Sequence, residues 1–405
     1  MDDAIDVSKA MNIPFVLIVF ILGLVGGQVL SVSFGAGARI TFLDVSVIGI
    51  LLFGSLHLGK KRYIPSLWAP IIGFFGVTLL SLLFTIGSVP TYVVGGGLLY
   101  ILRWILYAAL YWVSASVVIA PSVWLTSLVV SGVTLSSLGL LQFFLYPDLR
   151  NLTYLGWDPH YQRLFSTLLD PNFTGIVLSA TMIVLISMWK KGKNQIMLTG
   201  SILITFIAFI LTYSRSSLLA FGAGIFMYGI LMQKKALMFG LLTIIVSVVL
   251  LLPRTGEGQN IFRTASSFAR IGNAERALIL IGEKPFFGHG FNILRFVSLE
   301  RSWIDETDAP SRSGAGLDTS FLFVGATTGV VGMVVYGWLI ISLFRMGLTA
   351  HFHSKKSRPF FAAYVAVLTA FVVHGVFINS LFYPWVMAWL WIMTGVVEQI
   401  VRADK

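Results

Sequence analysis

Apolar stretches of about twenty residues, the length that crosses the hydrocarbon core of a bilayer, follow one another along nearly the whole chain. Twelve can be placed, at 13–33, 42–58, 66–86, 92–119, 122–145, 173–189, 196–213, 216–232, 236–253, 319–344, 360–380 and 382–401. Composition agrees. The 405 residues are 57% hydrophobic and 11% charged, with mean hydropathy +0.88, where a soluble domain carries about 25% charged residues. The expected fold class is an all-α polytopic membrane protein of about twelve transmembrane helices, with residues 1–405 forming one transmembrane domain. Cysteine is absent, which excludes disulfides, a thiolate nucleophile and Cys-ligated metal. The start, Met1-Asp-Asp-Ala, has no basic segment and no small-residue cleavage site, so no removable signal peptide is expected.

One long polar stretch, 254–318, interrupts this pattern between the ninth and tenth spans. Arg254, Arg263, Arg270 and Arg276 precede the turn-like Glu283-Lys-Pro-Phe-Phe-Gly-His-Gly290. A mixed-charge loop follows (Glu300, Arg301, Asp305, Glu306, Asp308, Arg312), and Asp318 stands at the mouth of the next span. Residues 261–282 can form a short helix with Arg263 and Arg270 on one face, ended by Pro285 and the glycines at 288 and 290.

Basic residues orient the chain. Lys9; Lys60, Lys61 and Arg62; Lys190, Lys191 and Lys193; Lys234 and Lys235; Arg345, Lys355, Lys356 and Arg358; and Arg402 and Lys405 fall at alternate connections. This face is read as cytoplasmic, with both termini inside. The net charge of +11 thus follows membrane topology and gives no reason to expect nucleic acid. The opposite face carries Arg39, Arg150, Arg163, Arg215, Arg254, Arg263, Arg270, Arg276, Lys284, Arg295, Arg301 and Arg312. It is therefore rich in arginine, whose planar fork suits bidentate recognition of phosphate or carboxylate. Pairing with external acids such as Asp148, Asp158, Asp170, Glu283 and Asp308 accounts for most of these arginines. Those at span mouths are the candidates for function. Arg103, inside the fourth span, is matched with Asp44 as a structural pair.

Four segments stand out. In Tyr161–Gly175 the Asp170-Pro-Asn172 triplet reads as an entry turn and helix cap. Thr212-Tyr-Ser-Arg-Ser-Ser217 is a hairpin that holds Arg215 at the membrane boundary. Ala269–Gly290 carries Arg270, Pro285 and Gly288/Gly290, and Gly316–Gly332 sets Asp318 before a glycine-punctuated span. In this order and spacing they resemble the bacterial O-antigen ligase and O-antigen polymerase superfamily of integral membrane glycosyltransferases, closely over about 160–332. The pattern of Arg, a small residue and Pro-Asn is met by Arg163 to Asn172. The Ser-Arg-small hairpin is met by Ser214-Arg215-Ser216, and Arg, then Pro, then Gly-x-Gly by Arg270, Pro285 and Gly288/Gly290. The departure is at the tenth span, where the ligases have a histidine followed by Asn or Ser and this chain has Asp318-Thr319-Ser320.

The resemblance implies a fold of the large membrane glycosyltransferase (GT-C-like) type in the bacterial inner membrane, with the active site on the external face. The donor would be a polyprenyl (undecaprenyl) diphosphate-linked glycan and the acceptor a glycan or lipid. No cofactor is expected, and other polysaccharide-assembly membrane proteins are possible partners. Paired arginines would hold the diphosphate, and a base near the tenth span would deprotonate the acceptor hydroxyl. Carried onto this chain, the catalytic candidates are Asp318, Arg270 and Arg215, and the substrate-binding candidates Arg163, Arg276, Asn172 and His289. Elementary chemistry agrees, because diphosphate leaves readily and the catalyst mainly neutralises growing charge and positions a hydroxyl. No His/Asp metal cluster or Asp-x-Asp pair is legible on this face, which argues against a metal-dependent nucleotide-sugar transferase.

Each candidate has a plainer reading. Arg215 could be an interfacial anchor, Arg163 and Arg276 salt-bridge partners, His289 and His374 packing or hydrogen-bonding residues, and Asp318 a cap of the tenth span. The leading function is polymerisation of lipid-linked repeat units into a surface polysaccharide, with transfer of finished glycan by a ligase as the alternative. A twelve-span transporter or flippase is a third class. It is disfavoured because the polar groups gather on one face and no half-to-half repeat is seen. The topology is testable: a reporter fused near Gly256 or Gly314 should be active only outside the cytoplasm, and one near Lys191 or Lys356 only inside. Reversed signals would discard it.

Overall fold

The structure, a computed structural model, describes residues 15–33, 39–57, 63–116, 119–189, 194–251, 265–304 and 316–404. Lys9, Lys60, Lys61, Arg62, Lys190, Lys191, Lys193, Arg254, Arg263, Asp305, Glu306, Asp308, Arg312 and Lys405 lie outside these residues. Each of the twelve apolar stretches coincides with a helix. They are α1 (Phe15–Gly26), α2 (Phe42–His57), α3 (Trp68–Leu83), α4 (Thr91–Ala115), α5 (Pro121–Leu145), α6 (Pro171–Met188), α7 (Gln195–Leu211), α8 (Arg215–Leu231) and α9 (Lys235–Leu251). The polar insertion contributes α10 (Ala265–Glu283) and α11 (Leu294–Glu300), and α12 (Ser320–His353), α13 (Arg358–Phe377) and α14 (Pro384–Ala403) complete the chain. Six of these, α4, α5, α6, α12, α13 and α14, are long and apolar enough to cross a membrane. Prolines at the first turn start α5, α6, α13 and α14, where a missing N–H costs nothing and φ is already helical.

The chain is mostly helical, as the all-α expectation has it, with one short hairpin in which β1 (Ser31–Ser33) pairs antiparallel with β2 (Arg39–Thr41) between α1 and α2. Two span bounds need correction. The span expected at 13–33 is helical only to Gly26, because Gly27 turns to φ +60° and Gln28 donates its main-chain N–H to Thr167 O. The tenth helix runs on to His353, beyond the expected end at 344.

The two C-terminal helices form the centre. Every residue of α14 from Pro384 to Gln399 is buried, including Trp385, Trp389 and Trp391. It lies against α4, while α13 packs on α8, α6 and α12. Hydroxyls inside the bundle return their protons to the preceding turn, as in Ser179 to Gly175 O, Thr181 to Val177 O and Ser127 to Val123 O. The Arg103–Asp44 pair forms as expected, at 3.0 Å, with Tyr107 donating to the same carboxylate at 3.1 Å.

The feature that ties the polar insertion to the bundle is a break in α12. Gly329 adopts φ 66°, ψ −167° inside the helix, a conformation essentially reserved for glycine. The turn at 285–290 occupies the break. His289 N donates to Ala326 O at 2.9 Å and Gly290 N to Thr327 O at 3.1 Å, while Val330 N donates to Pro285 O at 2.7 Å. The main chains meet so closely that a Cβ on Gly329 would lie 2.3 Å from the carbonyl carbon of Phe286, and one on Gly288 would lie 2.4 Å from that of Thr327. Gly329→Ala combines that clash with a backbone strain of about 1–3 kcal/mol. It should lower the melting temperature of the purified protein, whereas Gly337→Ala, where nothing lies within 4 Å of an added Cβ, should leave it unchanged or raise it. Equal melting of the two variants would count against the break as a fixed joint.

Candidate functional site

The site is built where the start of α6, the start of α8, the polar helix α10 and the approach to α12 converge. Asp170 caps α6, accepting from Asn172 N at 2.6 Å and Phe173 N at 3.1 Å, with Pro171 at the first helical position. Ser214 caps α8 by accepting from Ser217 N, so that Arg215 is the first residue of that helix. The two helix starts are locked together. Ser214 Oγ donates to Asn172 Oδ1 at 2.9 Å and Ser217 Oγ to Asn172 O at 3.1 Å. Two helix N-termini side by side present partial positive charge, which suits an anion.

Arg270 on α10 comes to the same place. Burial lowers the pKa of its guanidinium, Asp318 and Asp170 raise it, and the like charge of Arg215 lowers it. Arg215, Arg270, Asp318 and Asp170 therefore share one electrostatic neighbourhood. Burial raises the pKa of Asp318, and the Arg270 charge opposes that rise. Asp170 is also raised by burial, offset by the Phe173 and Asn172 N–H groups and by Arg163. Asp318 is fixed through its main chain: its N–H donates to Asn273 Oδ1 at 2.8 Å, while Asn273 Nδ2 donates to Gly316 O at 3.2 Å. Asn273 follows Arg270 by three positions and so shares its helix face. The cap of α12 is Thr319, which accepts from Leu322 N at 2.9 Å. The capping alternative for Asp318 is thereby excluded.

Three of the expected substrate-binding residues take other positions. Arg163 is 4% exposed, and its Nε and Nη2 donate to the main-chain carbonyls of Thr212 (3.0 Å) and Tyr213 (3.4 Å). It braces the hairpin that presents Arg215. Arg276 lies six residues beyond Arg270, about 120° around the helix, and its guanidinium stands over the Trp303 ring at 5.5 Å. His289 is buried beneath the turn, with Nε2 3.0 Å from Leu280 O and 3.5 Å from Glu283 Oε2. Burial lowers its pKa. Glu283 also holds Arg301, with Nη1 donating to its Oε1 at 2.8 Å.

His374, read from sequence as a packing or hydrogen-bonding residue, takes the second of those roles. Fully buried on α13, it has Nε2 3.2 Å from Ser216 Oγ and 3.3 Å from Ser217 Oγ, and Nδ1 2.8 Å from Ser380 Oγ. It joins the Arg215 hairpin to the loop before α14. The signal was the density of hydroxyls around Arg215, each of which needs a buried partner. Metal capacity also changes. The fold gathers Asp158, His160 and Asp170 with ligand atoms within 4.8 Å of one another, a cluster the sequence did not disclose. Arg163 Nη1 lies 3.5 Å from His160 Nδ1, and a cation so close suits an anion better than a metal ion.

A strut and a contact predict different losses. Arg163→Met leaves two buried carbonyls without donors, at about 1–3 kcal/mol each, and should lower the melting temperature clearly. Arg215→Lys should leave it near that of the unaltered protein. The opposite order would exchange the two roles.

No curated protein matches the chain. Residues 200–337, which hold Arg215, Arg270, Asn273 and Asp318, match the family model described as O-Antigen ligase. Arg215, Arg270 and Asp318 all lie inside this stretch of about a third of the chain, which is similar to the O-antigen ligase family and so supports the superfamily that the motifs resemble.

Proposed function

We propose that the protein is a membrane glycosyltransferase that polymerises polyprenyl diphosphate-linked oligosaccharide units into a surface polysaccharide on the external membrane face. The observation that carries this is the meeting of Arg215 and Arg270 with Asp318 beside two helix N-termini. Two guanidinium groups and the helix ends neutralise a diphosphate, and partial burial reduces the screening of that attraction. The acceptor hydroxyl oxygen bonds to the anomeric carbon, and the bond from that carbon to the phosphate oxygen breaks. Polyprenyl diphosphate leaves with the electron pair, and the hydroxyl proton passes to the Asp318 carboxylate. Arg163 and Asn172 act on the reaction by holding the hairpin, through the bonds to Thr212, Tyr213 and Ser214. The ligase reading, favoured by the description of the matching family model, uses the same groups with a different acceptor.

Products separate the two. Purified protein given one lipid-linked unit forms a ladder of lipid-linked repeats if it is a polymerase, and forms product only with a second acceptor if it is a ligase. Transfer under neither condition would overturn the proposal.

The arginines and Asp318 give sharper outcomes. Arg215→Lys and Arg270→Lys keep the charge and lose the planar fork, and should each reduce turnover by about 10²–10³-fold. Arg150→Lys, at an exposed pair with Asp148, should be near neutral. Asp318→Asn should abolish transfer while donor binding survives. Because the carboxylate pKa is raised in the folded protein, the charged form costs stability at pH above that value. The Asn variant should therefore melt no lower than the unaltered protein at neutral pH. The same shift means that turnover falls as pH drops through a value above the ordinary 3.8 of an aspartate. An Asn variant that still turns over would remove Asp318 as the proton acceptor.

A further inference from the structure

Arg39 opens β2 and stands apart from the groups used so far. Its Nε and Nη1 are buried and have no hydrogen-bond partner among the described residues. Its guanidinium lies 5.1 Å from the centre of the Trp157 ring. The tryptophan is itself fixed in a small apolar cluster with Leu149 and Phe165. The acid of the adjoining helix is already engaged. Asp44 Oδ2 accepts from Thr41 N (2.8 Å), Thr41 Oγ1 (2.9 Å) and Arg103 Nη2 (3.0 Å), and Oδ1 accepts from Tyr107 Oη (3.1 Å). Arg103, paired with Asp44, also donates to the main-chain carbonyl of Arg39. Burial lowers the Arg39 pKa, and no carboxylate among the described residues acts against it.

Guanidinium donors taken out of water without partners are costly. Stacked on an aromatic face, a guanidinium keeps its in-plane N–H edge for an oxyanion. The strand that carries it adjoins the segment leading to the candidate site. Gln28 donates its main-chain N–H to Thr167 O at 2.8 Å, and its Nε2 to Tyr383 Oη at 3.4 Å. Tyr383 stacks on Phe173 at 3.8 Å, next to Asn172. Gln28 Oε1 is likewise buried without a donor, which offers a place for a sugar hydroxyl.

The geometry points to Arg39, seated on Trp157, as a second oxyanion-recognition position that takes a carboxylate or phosphate carried by the glycan. This rests on the glycosyltransferase reading for the identity of the ligand and not for the existence of the position. Its consequence is that the repeat unit is acidic.

The test uses the full-length protein in a nonionic, phosphate-free detergent. Glucuronate, glycerol 3-phosphate and, as a neutral control, glucose are titrated while tryptophan fluorescence is followed. The Trp157→Phe variant identifies the part of the signal that belongs to Trp157. Both oxyanions should give a saturable Trp157 signal and glucose none. Arg39→Gln should weaken the oxyanions at least about tenfold, as for a lost charge-assisted hydrogen bond. Arg39→Lys should fall between, which guards against misfolding of the Gln variant, and Arg270→Gln should retain the signal. No Trp157 signal in the unaltered protein, or equal binding by Arg39→Gln, overturns the position. Turnover then separates the sources. Arg39→Gln should raise KM about tenfold for a lipid-linked unit bearing an acidic sugar, with kcat kept, and leave a neutral unit unchanged. Equal loss for both units, tracking the anionic lipid content of nanodiscs, overturns the glycan assignment in favour of a lipid headgroup. Failure of every variant to turn over any lipid-linked unit sinks the glycosyltransferase reading, while the binding titration still decides Arg39.

Discussion

An apolar environment leaves a helix no water with which to repair an interruption, so a break survives only if other protein groups satisfy the freed backbone. The break at Gly329 meets this condition through the 285–290 turn, which supplies two N–H donors and accepts from Val330. Ser81 Oγ adds a donor to Thr327 O at 2.5 Å. The rings of Phe74, Phe291, Phe323, Tyr336 and Phe382 pack on one another and join α3, α12 and the segment after the turn. The polar helix α10 is thereby anchored at its C-terminal end to the bundle interior. Arg270, near its other end, is carried to Arg215 and Asp318 by a helix whose far end is fixed. A cut in this joint would release one of the two arginines from the other.

The second constraint is electrostatic. Arginine is hard to strip of water, yet this protein holds Arg39, Arg163 and Arg270 with part or all of their surface removed from solvent. The three are stabilised by different means. Arg163 uses main-chain carbonyls, Arg270 has the Asp318 and Asp170 charges nearby, and Arg39 rests on an indole. Charge that is already desolvated when substrate arrives loses little further hydration on binding, and this is the electrostatic preorganisation on which phosphate leaving groups depend.

Much of this was legible beforehand because it follows local rules. The twelve apolar helices, the Asp170-Pro171 cap, the Arg215 hairpin, the Arg103–Asp44 pair and the helix that carries Arg270 come from periodicity, capping and charge. What was not legible depends on rotation and on distant contacts. Arg276 reads in sequence as a secondary candidate or a salt-bridge partner, but the helix turns it toward Trp303. His289 reads as a polar group on an external loop and is in fact buried against Leu280 O. Arg163 bonds carbonyls about fifty positions away, and no local pattern announces such a partner. The same holds for His374, which serves serines on α8 from α13.

The way Asp318 is held has a consequence of its own. Asn273 grips the peptide group of Asp318, and Thr319 takes over the helix start, so the start of α12 asks nothing of the side chain at 318. Structure and chemistry are uncoupled at that one position. A lineage can therefore exchange the acid there for an imidazole, as the ligases do, without rebuilding the helix beneath it. On the proposed mechanism, the proton acceptor can then change while Arg215 and Arg270 stay where they are.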